Sequence, residues 1–167
     1  MDPNEILEEI RERKQREADE RTDRERAKRA EAERERMAVL ERARVNSVKL
    51  EEIREILDKM ANRLQGFSSR SESSKALVEG EEFVQEARLS VAKYPRDLVL
   101  GMAISLSSPE TFILVASGNR EQGMIHFSFL HKDVSGPTAA LPTREINHAE
   151  IEKIFLDFVR WFGELAF

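Results

Sequence analysis

Cysteine is absent from all 167 residues, which removes disulfides, thiolate metal sites and cysteine nucleophiles and fits a reducing compartment. Glycine and proline are missing between Pro3 and Gly66, so nothing there interrupts a helix. No apolar run approaches the ~18–20 residues needed to cross a bilayer. The acidic start, Met1-Asp2-Pro3-Asn4-Glu5, lacks the apolar stretch of a signal peptide. A cytoplasmic protein without a membrane partner is therefore expected. Also absent are a G-x-S-x-G elbow, a phosphate-binding G-x-x-x-x-G-K-[ST] loop, a G-x-G-x-x-G turn and an H-E-x-x-H zinc motif.

What is abundant is charge. Charged residues make up 35% of the chain, against about 25% in an ordinary globular domain. Residues 1–44 hold 13 basic and 14 acidic side chains, leaving no net positive stretch for nucleic acid or anionic lipid. Asp2 and Glu5 form a D-x-x-E capping box with Pro3 at the first helical position. Good helix formers then continue to Gln65, and Gly66 is the expected stop. Over residues 8–36 the helix is a charged spacer. The apolar residues between Arg11 and Arg36 are only alanines, and acids precede bases by four in Glu9–Arg13, Glu12–Arg16, Glu17–Arg21, Glu20–Arg24 and Glu25–Arg29. Each such pair supports a solvated helix by about 0.2–0.5 kcal/mol.

Residues 37–65 are more apolar. Leu50, Ile53, Leu57, Met60 and Leu64 follow a 3-4-3-4 spacing with Ile56 alongside, the pattern of a coiled-coil seam. Met37, Leu40, Val45 and Val48 fall out of that register, and Asn46-Ser47 marks a place where the helix could break. Residues 1–66 are thus read as a helical extension whose seam, Leu50, Ile53, Ile56, Leu57, Met60 and Leu64, meets a protein partner or a second copy, with folding back onto the chain's own domain as the alternative.

Residues 67–75 read as a serine-rich linker, and 76–167 as an α+β domain. A helix is expected over 76–94 from Leu77, Gly80, Val84, Ala87, Val91 and Tyr94, with a strand as the alternative from Phe83, Ala87, Leu89 and Val91. Strands are expected over 98–107, 111–117 and 124–131, with a short edge strand at Ala139–Leu141. The short connections indicate a three- to four-stranded antiparallel meander. Asn147 and Glu150 cap a last helix whose Ile151, Ile154, Phe155, Phe158, Val159, Phe162 and Leu165 form one broad apolar stripe.

A possible surface site lies on the small-residue sheet face, where Gly101, Ala103 and Ser105 would join His126 and Ser128. Docking of the 76–94 helix is the plainer explanation of that face. His126 and His131, five apart along a strand, point to opposite faces and cannot share a metal ion. No catalytic residue, cofactor, metal or small-molecule ligand is assigned. The function expected is a non-catalytic oligomeric scaffold or adaptor. Two alternatives remain, a nucleic-acid-associated protein using the Arg-rich helix and an enzyme with a site near His126, Ser128 and Ser105. Against the first, 13 bases in residues 11–44 are interleaved with 10 acids.

Overall fold

A computed structural model describes residues 2–93 and 110–167. Helix α1 runs from Pro3 to Ala61 without a break at Asn46-Ser47. Its capping box closes as the sequence implies: Asp2 Oδ1 accepts the Asn4 N–H at 3.0 Å, and Glu5 Oε2 accepts the Asp2 N–H at 3.4 Å. The helix ends before the expected stop. Arg63 and Leu64 donate to the carbonyls of Met60 and Ala61, a tightened last turn, and Gly66 takes φ +81° on the way into the sheet.

An antiparallel meander of five strands follows, in spatial order β1-β2-β3-β4-β5: Phe67–Val78, Glu81–Lys93, Thr111–Asn119, Met124–His131 and Val134–Pro142. The fold is α+β, with five strands among the described residues rather than three to four. Two expectations are corrected. The serine-rich stretch 67–75 is the body of edge strand β1, because Ser69 and Ser71 turn to α1 and donate to Asn62 Oδ1 and Asp58 Oδ1. Polar composition there serves a partly exposed edge, where the strand is hydrogen-bonded to α1 by side chains rather than packed by apolar ones. The helix expected over 76–94 is not formed by its described residues, 76–93, since Glu79 (φ +50°) and Gly80 (φ +80°) make the two-residue turn that joins β1 to β2.

The reason β2 imitates a helix is a bulge. Ser74 pairs with Glu86 but Lys75 pairs with Val84, so Gln85 is an extra residue in β2. That insertion shifts the inward phase from Val84 to Ala87, Leu89 and Val91, all buried. Strict alternation is lost, and the 84–87–91 spacing that remains matches a helical face. Ser47, at the suspected break in α1, accepts the Val84 N–H at 2.9 Å beside the bulge. The expected strand at 98–107 lies outside the described residues.

Strands β3 and β4 match their expected spans closely, and β3 is central. The edge strand expected at Ala139–Leu141 is longer. It begins at Val134 and bulges where Gly136 and Pro137 lie opposite Phe129, a position where a missing N–H is tolerated. Helix α2, His148–Ala166, starts at Asn147, whose side chain accepts the Glu150 N–H at 2.9 Å. Lys93 Nζ donates to the Ala166 carbonyl at 2.9 Å and so closes its C-terminal end.

Both helices bury their stripes on the same sheet face. Leu50, Ile53, Leu57 and Ala61 of α1 and Ile151, Phe155, Phe158 and Phe162 of α2 join Leu89, Val91, Phe112, Leu114, Ile125 and Phe127 in one core. Rings tie α2 to the strands, with Phe112–Phe162 centroids 5.4 Å apart and Phe129–Phe158 5.3 Å apart. Gly163 stands apart, because an added Cβ would meet no atom within 4 Å. Gly163→Ala should therefore raise stability by about 0.5–1 kcal/mol, read as a higher urea midpoint at unchanged slope.

The chain forms two compact units, Met1–Val39 and Leu40–Phe167. The last part of α1, Leu40–Ala61, thus belongs to the same unit as the sheet, where the sequence had assigned it to a separate extension.

Candidate functional site

The first unit is helix alone. Every residue from Asp2 to Met37 is exposed, so this stretch of α1 buries no side chain. Charge pairs along its own surface support it, among them Glu12–Arg16 at 3.6 Å, Glu20–Arg24 at 4.0 Å and Glu33–Arg36 at 3.2 Å. All are well exposed, so each contributes a few tenths of a kcal/mol at most. Near its start, Ile6, Leu7 and Ile10 are 41%, 52% and 36% exposed. Ile6 and Ile10 are four apart and share one face, with Leu7 beside them.

The candidate partner interface at the other end of α1 is placed differently from expectation. Leu50, Ile53 and Leu57 are 0%, 0% and 1% exposed beneath their own sheet. Ile56, Met60 and Leu64 are partly buried against the same core. A 3-4-3-4 stripe is what any helix needs to lie on a neighbour, whether another helix or a sheet. Here the neighbour is the chain's own β-sheet, and these side chains are core residues. Of the upstream residues that looked out of register, Val48 is 72% exposed and Met37 49%, Val45 is partly buried, and Leu40 is buried, continuing the stripe with Ala43 and Asn46.

The second candidate is the sheet face turned away from both helices. His126 is exposed on it, paired with Ser117 on β3 and Ala140 on β5; Ser128 lies between Val115 and Thr138. His131 faces the interior, stacked on Phe112 at 4.3 Å with Nδ1 3.1 Å from the Thr111 carbonyl. Gly101, Ala103 and Ser105 lie outside the described residues, so of the five surface-site residues the structure brings together His126 and Ser128. The segment expected to cover this face as a helix lies, over its described residues 76–93, in strands β1 and β2 and the turn between them. A shallow open depression beside His126 is lined by Gln85, Ser117, Gly118, Asn119, Arg120 and Glu121. Its groups are engaged locally: Asn119 Oδ1 accepts the Glu121 and Gln122 N–H groups, and Arg120 Nη1 donates to Gln85 Oε1 at 3.4 Å. Among the described residues, no nucleophile–base pair is formed there.

A third location was not singled out as a site from the sequence. Asn46 is 3% exposed and sits where α1 crosses the β3–β4 hairpin. Thr143 donates its hydroxyl to Asn46 Oδ1 at 2.5 Å, with the Gly123 carbonyl also 3.0 Å away. Arg42, one turn earlier, donates to the Arg120 carbonyl at 2.6 Å. The signal was present as an asparagine inside an apolar stripe, at 43, 46, 50, 53 and 57. It was obscured because Ala43 is a weak hydrophobic marker.

Among the described residues, no group of three or more His, Asp or Glu side chains could hold a metal ion, and no helix is long and apolar enough to cross a membrane. No family model, curated protein or solved structure matches the chain.

Proposed function

We propose that this is a non-catalytic scaffold or adaptor protein whose exposed α1 segment, residues 3–39, engages a protein partner or a second copy of the chain. The observation that carries this reading is the uninterrupted exposure of residues 3–37 in a fully helical state. A segment that buries nothing adds nothing to the core, so its use lies in what it can reach or bind. At 1.5 Å per residue it spans on the order of 55 Å, a semi-rigid spacer. Ile6, Leu7 and Ile10 supply the apolar contact that such a spacer would deliver. With the Leu50–Leu64 stripe committed to the core, any assembly role moves to this end of the helix. The cysteine-free composition suits a cytoplasmic setting.

The test uses the full chain against a variant carrying Ile6→Ser, Leu7→Ser and Ile10→Ser. Sedimentation equilibrium and quantitative capture from the native host should show at least a tenfold loss of association, with the thermal midpoint unchanged. Equal association by both proteins overturns the proposal. Nucleic-acid association through the same helix is the weaker alternative, because pairs such as Glu12–Arg16 and Glu20–Arg24 place an anion beside the cations a phosphate would need. Enzymatic chemistry near His126 is weaker still, since the histidine has no activating partner within the depression it borders.

A further inference from the structure

The junction at Asn46 has a donor to spare. Asn46 Nδ2 is the one buried side-chain nitrogen or oxygen without a hydrogen-bond partner among the described residues. A fully buried amide N–H without an acceptor is costly enough that native interiors almost always provide one. Next to it lies a crevice of about 20 Å³, lined by Ala43, Asn46, Val84, Gln85, Gly118 and Arg120. A single water needs ~10–15 Å³ of such space and two to four polar partners. The crevice is large enough for one water and too small for any organic ligand. Its lining brings Asn46 together with Gln85, the bulge residue of β2.

We propose that this crevice is a binding site for one ordered water, which accepts the Asn46 Nδ2–H bond and donates to the Gln85 side of the wall. The water would add to the bonds that already tie three pieces of chain together at this point, Ser47 of α1 to Val84 beside the bulge in β2, Arg42 of α1 to the Arg120 carbonyl of the β3–β4 hairpin, and Arg120 to Gln85. Its presence explains how an asparagine can occupy a buried stripe position between Ala43 and Leu50 without breaking α1.

The full chain can be tested in solution. Water-to-amide cross-relaxation at the Asn46 side-chain NH2, with the sign of a nanosecond-lived water, is the expected result. Gly118→Ala should abolish it, because the added Cβ would sit 3.3 Å from both Asn46 Nδ2 and Leu50 Cδ1 and occupy the crevice from the strand side. Asn46→Leu, if it folds, should lower by one the long-lived waters counted by oxygen-17 relaxation dispersion. A dry Asn46 amide in the unaltered chain overturns the proposal. So does an amide with its ends exchanged, Nδ2 donating to Thr143 Oγ1 and Thr143 to the Gly123 carbonyl, since no donor would then face the crevice. A signal that survives Gly118→Ala places the water elsewhere and equally overturns the assignment.

Discussion

Ile53→Ala should lower the stability of the Leu40–Phe167 unit by about 2–5 kcal/mol, and by the same amount at every protein concentration. Ile53 is wholly buried and lies in the core shared by α1, α2 and the sheet. Truncation to alanine removes three methyl or methylene groups and leaves a cavity that two layers of regular structure cannot close. The concentration test separates two uses of one sequence pattern. A seam between chains would give a urea midpoint that rises with protein concentration through mass action, and the loss on substitution would rise with it. A helix lying on its own sheet gives a fixed midpoint. A concentration-dependent loss would return Leu50, Ile53 and Leu57 to an interface between chains.

The second large effect is expected from Gly136→Ala. The φ of Gly136 is not in the left-handed region, so the cost is steric rather than conformational. An added Cβ would lie 2.6 Å from Trp161 Cε2, 2.8 Å from its Nε1 and 2.9 Å from Phe129 Cβ. The indole cannot retreat easily, because Phe112, Phe129 and Phe158 surround it at 6.2, 5.7 and 6.2 Å between centroids. Overpacking of this kind costs about 1–3 kcal/mol. The chain has a single tryptophan, so its fluorescence reports the site directly. Destabilisation with a red-shifted emission is the expected pair of results. Unchanged stability and emission would mean that the β5 bulge yields to the methyl group, and that the contact between Gly136 and Trp161 does not constrain α2.

These two predictions rest on opposite kinds of legibility. The apolar stripe of α2 and its Asn147 cap could be read directly, because the free N–H groups of a helix start favour a side-chain acceptor and a broad apolar face needs a surface to cover it. The spans of β3 and β4 were equally plain, one apolar on both sides and the other alternating. Strand β2 was misread for a definite reason. One inserted residue, Gln85, changes which parity points inward, and local periodicity cannot distinguish a bulged strand from a short helix. Strand β1 was missed because its inward residues, Ser69 and Ser71, are polar. Their partners Asp58 and Asn62 lie on a helix that local reading treats separately.

For the candidate sites, the sequence showed that His126 and His131 point to opposite faces. It could not show that Asn46 is buried with an amide hydrogen unused, since that depends on how closely Gly118 lets the hairpin approach α1.

By itself the sequence determined that the first third of the chain is helical, that its leading part is held by charge pairs rather than by burial, and that an α+β domain follows. Those properties depend on neighbours within about four residues. Only the tertiary structure decided what the Leu50–Leu64 stripe covers, because an apolar helical face favours burial without specifying the surface that provides it. The hydrophobic effect has no direction, and the closest surface of fitting shape was the chain's own sheet.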